Sequence, residues 1–225
     1  MIVLPRLYPI LDAALFPDLS ALLGAAEELV TVGCTLIQYR NKSGNARVML
    51  EQARELRRIF PFHSQNHHFS QNQGEVGHPN LDHFVRLIMN DRADLCLAAG
   101  FDGIHVGQED LSPESVRKII GPDRWLGVST HNPEQLAKAD KTPADYLAIG
   151  PVFATPSKAN PDPVVGLEGV RRARALTRKP LVAIGGISRT NAASVIEAGA
   201  DVVAVISDLL PDPGKSAEEF LRILR

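Results

Sequence analysis

Three polar side chains at alternate positions mark one segment of the chain as a candidate anion site. Gln38, Arg40 and Lys42 come at the end of an apolar run, and alternate residues of an extended strand point to the same side. An arginine fork and a lysine point charge together suit a phosphate or diphosphate group. Because two buried cations are costly without a compensating anion, we expect an anionic ligand at this strand end. A salt-bridged surface strand is the alternative.

Two acidic residues lie at the ends of the next two apolar runs. Asn90 and Asp91 close one run, and Asp110 ends the sequence Gly-Gln-Glu-Asp that begins at Gly107. Neighbouring strands lie about 4.8 Å apart, so the two carboxylates are predicted to face each other and to repel unless a proton or cation lies between them. Mg²⁺, shared with substrate phosphate oxygens, fits such a pair. Alternatively, one aspartate caps a helix and the other is solvated.

Ser129 and His131 end the fifth apolar run. The Ser129 hydroxyl can donate a hydrogen bond to a heteroaromatic ring or accept one from it. For His131 the sequence leaves two interpretations open: a proton carrier, or a side chain whose hydrogen bonds are satisfied by nearby backbone.

A second candidate anion site follows the last three runs. The loop after the sixth run carries two hydroxyls beside a cation, at Thr155, Ser157 and Lys158. We expect this loop to be a mobile lid that binds an anion. Gly186, the second of paired glycines, lets backbone N–H groups approach a phosphate, and the eighth run ends at Ile206 and Ser207. An enzyme that joins a monophosphate to a diphosphate would need both anion sites.

The elements that must position these residues are eight apolar runs, each followed by a pattern of helical period. The predicted strands are Leu7–Asp12, Thr35–Arg40, Arg86–Asn90, Gly103–Gly107, Leu126–Thr130, Tyr146–Pro151, Leu181–Gly186 and Asp201–Ser207. Apolar strands that alternate with helices favour a parallel sheet covered by helices. Eight such units predict an α/β fold, a closed (β/α)8 TIM barrel, as a single domain over 1–225. An open doubly wound sheet is the rival.

Capping residues support this division of the chain. Ser112-Pro113 and Asn132-Pro133 each place a capping side chain before a proline at the first helical position. Gly33, Gly100 and Gly199 stand where helices are predicted to end. The barrel then brings every candidate residue to the carboxyl ends of the strands, where this fold places active sites.

The segment 61–83 interrupts the alternation. It is rich in Asn, Gln and His, and holds five of the seven histidines, namely His63, His67, His68, His78 and His83. We expect a solvated or disordered insert, because the segment has no apolar period and no cysteine accompanies its histidines.

Bulk composition limits the partners. The 24 basic and 26 acidic side chains nearly cancel and form no basic stripe, which argues against nucleic acid. The N-terminal segment is broken by Pro5, Arg6 and Pro9, is too short to span a membrane and lacks a signal-peptide layout. Cys34 and Cys96 fit buried free thiols. We therefore expect a cytoplasmic protein with small-molecule substrates; its association into a homo-oligomer stays open.

In order along the chain, these residues resemble the thiamine phosphate synthase family. The motifs that carry the resemblance are Gln38-x-Arg40-x-Lys42, Asn90-Asp91, Gly107-Gln108-Glu109-Asp110, Gly127-Val128-Ser129, Thr155-x-Ser157-Lys158, Gly185-Gly186-Ile187 and Val205-Ile206-Ser207. The resemblance covers essentially the whole chain except the His-rich segment. The resemblance implies a transferase that couples hydroxymethylpyrimidine diphosphate to a thiazole phosphate, or to its carboxylated form, and releases diphosphate. Mg²⁺ is the implied cofactor.

The resemblance also implies residue roles. The pyrimidine diphosphate would contact Gln38, Arg40, Lys42, Asn90, Ser129 and Lys158, of which Arg40, Lys42, Ser129 and Lys158 would be catalytic. Asp91 and Asp110 would hold Mg²⁺. The thiazole phosphate would contact Thr155, Ser157, Gly186, Ile206 and Ser207. Position 157 is more often threonine in the family, and serine keeps the hydroxyl.

The implied reaction needs no nucleophile from the protein. Cationic groups would neutralise the departing diphosphate while the aminopyrimidine ring stabilises a positive exocyclic carbon, so departure can precede attack by the thiazole nitrogen. Catalysis would then consist of positioning and electrostatic stabilisation.

Two other functions compete with this one. A thiazole tautomerase on a similar barrel could use His131 for proton transfer but has no need of Asp110 as a second magnesium carboxylate. A non-catalytic sensor of thiazole phosphate could dispense with the whole cationic and acidic cluster. Both features therefore favour the synthase.

We predict that Lys158→Ala lowers turnover far more than it lowers stability, because the lysine would stabilise charge on the leaving diphosphate. Steady-state kinetics of the purified variant, with thermal unfolding as the control for folding, measure both. Activity close to that of the parent protein would rule out this role for Lys158.

Overall fold

The computed structural model describes residues 2–61, 84–155 and 162–225. Strands and helices alternate through these residues. The strands are β1 (Leu7–Asp12), β2 (Leu36–Arg40), β3 (Arg86–Asn90), β4 (Gly103–Val106), β5 (Trp125–Thr130), β6 (Tyr146–Ile149), β7 (Leu181–Ile184) and β8 (Val202–Val205). The helices are α1 (Leu19–Thr31), α2 (Ala46–Ile59), α3 (Ala93–Ala98), α4 (Pro113–Ile120), α5 (Pro133–Asp140), α6 (Gly166–Leu176), α7 (Ala192–Glu197) and α8 (Pro213–Ile223). Short 3-10 turns follow β1 and β8, at Ala13–Leu15 and Ser207–Leu209.

The strands form one closed parallel barrel in chain order. Leu7 of β1 pairs with Val203 of β8, so the sheet has no open edge. The predicted TIM barrel is confirmed, and the open doubly wound sheet is excluded. The His-rich insert predicted at 61–83 lies outside the described residues, apart from Pro61.

Several predicted strands were too long at their carboxyl ends. The end of β6 is Ile149 rather than Pro151, because a proline has no N–H to donate to the ladder. Gly185 has a φ of 98°, which ends β7 at Ile184. At the end of β8, Ile206 leaves the extended region with a φ of −116° and a ψ of −77°. The other corrections are one residue each, at β2, β4, β5 and the start of β8.

The predicted helix boundaries are confirmed. Ser112 and Asn132 accept hydrogen bonds from the third residue beyond them, and a proline occupies the first turn of both α4 and α5. Gly33, Gly100 and Gly199 follow helices α1, α3 and α7 with positive φ values.

Two hydrophobic layers hold the barrel together. The larger lies between strands and helices and includes Leu29, Leu56 and Phe220. The smaller fills the barrel interior and includes Tyr8, Tyr146 and Ile88. Gly127 on β5 makes room for the Tyr146 ring, since a Cβ at this glycine would lie 2.1 Å from the ring.

An aspartate that precedes an even-numbered strand recurs three times at the amino-terminal face. Before β4, Asp102 accepts the Leu87 N–H of β3 at 2.7 Å and pairs with Arg57 of α2 at 2.5 Å. Its carboxylate thereby joins two adjacent strands to the helix that precedes them.

The same contacts recur before β6 and β8. Asp145 accepts the Leu126 N–H at 2.8 Å and pairs with Arg117 of α4 at 2.6 Å. Asp201 accepts the Leu181 N–H at 2.8 Å and pairs with Arg174 of α6 at 2.7 Å. We call these three groups the aspartate–arginine staples. They fix the face opposite the candidate site.

Two further observations concern the cysteines and the possibility of a membrane span. Cys34 and Cys96 are buried and free, as predicted. Among the residues that the structure describes, none of the helices combines the length and the hydropathy needed to cross a bilayer.

We predict that Asp102→Ala lowers the free energy of unfolding by about 3–5 kcal/mol, because it leaves the partly buried Arg57 and the Leu87 N–H without their shared acceptor. Urea unfolding measures the loss. Glu51→Ala is the matched control, because its pairing with Arg47 is exposed, and we expect a change below about 0.5 kcal/mol. Equal losses in the two variants would contradict a special role for the staple.

Candidate active site

The barrel brings the candidate residues of β2 to its carboxyl-terminal rim, and both cations there have carboxylate partners. Arg40 pairs with Asp12, the residue opposite it on β1. Lys42 pairs with Asp91 beyond β3. These ion pairs are the feature that the alternative interpretation, a salt-bridged strand end, predicted, and the anionic ligand expected at this strand end stays a prediction. Asp12 was missed as a site residue although it ends the first predicted strand.

Asp91 and Asp110 lie close enough to influence each other, as predicted. Burial raises the pKa of the Asp91 carboxyl above its usual range and Asp110 raises it further, against the opposing effect of Lys42. Asp110 is itself held by the Gly107 N–H at 2.7 Å. The two carboxylates of Asp91 and Asp110 therefore lie close together, and Lys42 is the cation that is paired with one of them.

Two features mark the end of β3: an unusual backbone conformation at Asp91 and an unpaired hydrogen-bond donor at Asn90. Asp91 has a φ of 62°, the one positive φ of a non-glycine residue in the described ranges. Such a conformation costs of order 1–3 kcal/mol and is concentrated at functional sites. The neighbouring Asn90 is 8% exposed, and its Nδ2 has no hydrogen-bond partner among the described residues. A buried donor without a partner is a position that a ligand oxygen or nitrogen can satisfy.

These groups suit a magnesium ion that shares substrate phosphates. Among the described residues no cluster of three or more His, Cys, Asp or Glu side chains is found, so an all-protein cage is absent there. Mg²⁺ characteristically takes one or two carboxylates and completes its shell with water and phosphate oxygens. Asp91 and Asp110 match that donor set.

Inside the barrel, below the rim, five side chains form a continuous hydrogen-bonded chain that sequence reasoning missed. Gln38 Nε2 donates to the Tyr8 hydroxyl at 3.0 Å, and the hydroxyls of Tyr8 and Tyr146 lie 3.1 Å apart. His105 Nδ1 lies 3.2 Å from the Tyr146 hydroxyl, and His105 Nε2 lies 2.8 Å from Ser129 Oγ. We call this set the interior chain. The sequence could have indicated this chain, because His105 lies two residues after Gly103 on β4 and therefore on the same, inward face of the strand.

The interior chain joins two candidate residues that lie on different strands. Gln38 is 2% exposed and therefore lies deeper than the mouth position expected for it, whereas Ser129 is half-buried at the rim. Burial lowers the pKa of the His105 imidazole to about 4, so this histidine is neutral near neutral pH.

His131 has the backbone contact that the second of its two interpretations predicts. Its Nδ1 lies 2.6 Å from the Gly150 carbonyl oxygen, and its Nε2 lies 3.5 Å from Asp162. The ring therefore links the ends of β5 and β6 through Nδ1, and its role as a proton carrier is not tested by these contacts.

The loops after β6, β7 and β8 form the second candidate anion site. The Phe153 N–H donates to the Gly185 carbonyl at 2.9 Å, which continues the β6–β7 pairing beyond the strands. Gly186 has a φ of 64°, and a Cβ there would lie 2.6 Å from the Ala154 carbonyl oxygen, so only glycine fits. Thr155 is half-buried on the same loop.

Arg189 joins the β7 loop to the turn at Ser207. Its backbone N–H donates to Asp208 at 2.9 Å, and its guanidinium pairs with Asp208 at 3.1 Å and Glu219 at 2.6 Å. Within the described ranges, the backbone N–H groups of Gly186 and Ser207 form no hydrogen bond. Ile206 and Ser207 follow β8, the strand that pairs with β7, so they lie on the same part of the rim as the Gly186 loop. Ser157 and Lys158, predicted for this site and its neighbour, lie outside the described residues.

Comparisons with known proteins agree on one family. Residues 80–209 match the family model described as thiamine monophosphate synthase. The chain is 58% identical over 224 residues to the thiamine-phosphate synthase of Koribacter versatilis (strain Ellin345), an alignment that covers 98% of this chain and 96% of that protein. The chain belongs to the thiamine monophosphate synthase family.

Further members are consistent with this assignment. The thiamine-phosphate synthase of Chloroflexus aurantiacus is 40% identical, over 97% of this chain and 92% of that protein. The solved thiamine phosphate pyrophosphorylase of Pyrococcus furiosus superposes with a TM-score of 0.79 at 32% identity, covering 97% of this chain and 95% of that one. A thiamine phosphate synthase family member is a transferase of thiamine biosynthesis, and the chain is an enzyme of that class acting on small molecules.

Because buried His105 is neutral in the folded protein, the free energy of unfolding should fall as the pH is lowered. Its folded pKa is about 4 and the unfolded value is about 6.5, so between these pH values the unfolded state binds more protons. The free energy of unfolding should therefore drop by about 2 kcal/mol from this group between about pH 7 and about pH 5. Urea unfolding of the metal-free protein at both pH values measures the drop. His105→Gln should flatten it, and an equally steep drop in that variant would contradict this origin.

Proposed function

We propose that this enzyme couples hydroxymethylpyrimidine diphosphate to a thiazole phosphate, giving thiamine phosphate and diphosphate. The observation that supports the proposal is that two separate groups of candidate anion-binding residues lie on one barrel rim. The charged site combines Arg40 and Lys42 with the Asp91–Asp110 pair. The uncharged site is the loop at Gly186 together with the turn after β8. A reaction between a diphosphate and a monophosphate uses both.

In this proposal the charged site binds the diphosphate. The phosphate oxygens would compete with Asp12 for Arg40 and with Asp91 for Lys42, so each cation exchanges a protein partner for substrate. Asp91, released from Lys42, and Asp110 would then hold Mg²⁺, which supplies positive charge against the phosphate oxygens. Asn90 would donate its unpaired Nδ2–H to the same ligand. These contacts together favour departure of the diphosphate.

Ser129 would hold the pyrimidine ring at the inner edge of the same site. It lies on β5 two residues beyond Gly127, the partner of His105, and its Oγ is 2.8 Å from His105 Nε2. Gln38, one end of the interior chain, would support the ring from below. Holding the ring still keeps its exocyclic carbon in line with the incoming thiazole nitrogen.

The uncharged site would hold the thiazole through its phosphate. Backbone N–H groups of Gly186 and Ser207 would donate to the phosphate oxygens, beside Ile206 and Thr155. Ser157 and Lys158 would complete the two sites from the β6 loop, as the family resemblance implies. Binding both substrates on one rigid rim turns a bimolecular encounter into a reaction within a single complex.

We predict that diphosphate release requires Mg²⁺ and both substrates. The assay measures diphosphate with and without Mg²⁺, and with each substrate alone. Release that needs both substrates and the ion supports the coupling reaction. Isomerisation of the carboxylated thiazole phosphate without metal would indicate a tautomerase, and binding of thiazole phosphate without turnover would indicate a sensor; either outcome rejects the proposal.

Asp110→Asn should lower the rate at limiting Mg²⁺ by at least about tenfold and raise the Mg²⁺ concentration needed for half-maximal rate, because a neutral amide is a poorer magnesium ligand. Glu109→Gln is the matched control, since Glu109 is the exposed neighbouring carboxylate. The magnesium titration should be unchanged there. Equal titrations for Asp110→Asn and the parent protein would remove Asp110 from the proposed metal site.

A further inference from the structure

The interior chain has a single direction along which its protons can be ordered. At one end, Gln38 presents its NH₂ group to Tyr8, and an amide NH₂ can only donate. Within the described part of the chain, the Tyr8 hydroxyl has only Gln38 and Tyr146 as hydrogen-bond partners. Because Tyr8 accepts from Gln38, its own proton goes to the Tyr146 oxygen. A buried hydroxyl left without an acceptor is costly, because it loses its hydrogen bonds to water without replacing them.

The same argument fixes the next link. Tyr146 accepts from Tyr8, and its remaining neighbour in the chain is His105 Nδ1 at 3.2 Å. Tyr146 therefore donates to Nδ1, which must be the unprotonated nitrogen of the ring. A neutral imidazole carries its proton on one nitrogen only, so Nε2 is protonated. Desolvation disfavours the imidazolium, which would have a proton on both nitrogens.

The order ends at the rim. His105 Nε2–H donates to Ser129 Oγ across 2.8 Å. The Ser129 oxygen therefore accepts from below, and its own proton is free to point elsewhere. Ser129 is half-buried where β5 opens into the mouth, whereas the three rings beneath it are buried. The serine is the most exposed member of the chain and the one that lies where β5 opens into the mouth.

We propose that the interior chain fixes the Ser129 hydroxyl as a hydrogen-bond donor toward the barrel mouth, so that the ligand atom seated on it is an acceptor such as an unprotonated aromatic ring nitrogen. Tyr8, Tyr146 and His105 are then positioning residues, which act through Ser129 without touching the ligand. The tautomer of His105 follows from the protein alone. The identity of the ligand, a pyrimidine ring, rests on the proposed function.

The first test reads the His105 tautomer directly. Nitrogen-15 NMR of the histidine-labelled, ligand-free protein distinguishes protonated from unprotonated ring nitrogens, and the spectrum of His105→Gln assigns the signal among the seven histidines. The expected result is Nε2–H with Nδ1 unprotonated. The opposite tautomer would mean that the chain runs from Ser129 toward Gln38, and it overturns the proposal.

A matched pair of tyrosine variants tests the origin of that tautomer. Tyr146→Phe removes the hydroxyl that donates to His105 Nδ1, so nothing holds Nδ1 unprotonated and His105 should populate both tautomers. Tyr39→Phe is the control, because Tyr39 is a second buried tyrosine, 1% exposed, and bonds outside the chain to Gln52 and Asn41. It should keep the parental tautomer. A parental tautomer in Tyr146→Phe would show that the chain does not set the order.

Binding of the pyrimidine diphosphate, measured by calorimetry without the thiazole, tests the ligand assignment. Tyr146→Phe should weaken it by about twofold, the loss expected when about half of the molecules carry the other tautomer, while Tyr39→Phe leaves it unchanged. Parental affinity in a folded Tyr146→Phe protein that populates both tautomers would overturn the ligand assignment. If the parent protein does not bind this compound, the proposed function fails, whereas the tautomer result stands separately. Should Tyr146→Phe not fold, the tautomer of the parent protein still tests the proposal.

Discussion

Polar groups inside a closed eight-stranded barrel can find partners only among themselves or at the open end. The interior of such a barrel is just wide enough for side chains to fill. Tyr8 and Tyr146 fill it here with large rings, and each brings a hydroxyl that would be costly to leave unpaired. Those hydroxyls bond to each other, and the remaining hydrogen-bonding capacity passes to Gln38 and His105. The packing of the barrel core is therefore connected to the rim through a polar chain.

The rim obeys a related constraint on charge. Arg40 and Lys42 each take a carboxylate partner from a neighbouring strand, which limits the cost of bringing cations together. The partners are held differently: Asp12 is a buried strand residue, while Asp91 adopts a left-handed conformation beyond its strand. The latter pair is the more exposed one, and exposed pairs contribute little stability. Exchange of Lys42 from Asp91 to a phosphate therefore involves a small loss.

Stability and chemistry are assigned to opposite faces of the barrel. At the amino-terminal face, the three aspartate–arginine staples tie pairs of strands to helices α2, α4 and α6. At the carboxyl-terminal face, the loops carry paired glycines, a strained aspartate and an unpaired amide. A rim with such features depends on a rigid frame beneath it, because strain persists only where the surrounding structure fixes it.

The sequence by itself determined the barrel, its eight units and most of the rim residues. Alternation of apolar strands with helices, proline-marked helix starts and glycine-marked helix ends all act over a few residues, so they can be read locally. For the same reason, Arg40, Asp91 and Asp110 could be assigned to the rim from their place at the end of an apolar run or just beyond it, whereas Gln38 lies deeper than expected. The ends of β6 and β7 were misjudged because apolar residues continue past Ile149 and Ile184 while the hydrogen-bond ladder does not.

Only the tertiary structure decided which rim and interior residues are partners. Asp12 and Arg40 are 28 positions apart, and Tyr8 and Tyr146 are 138 apart, so no local pattern could pair them. His105 looked like one polar residue in an apolar strand until closure of the barrel placed it between Tyr146 and Ser129. The physical reason is general: strand alternation says which side a residue faces, whereas strand register, set by closure of the whole sheet, says what it meets there.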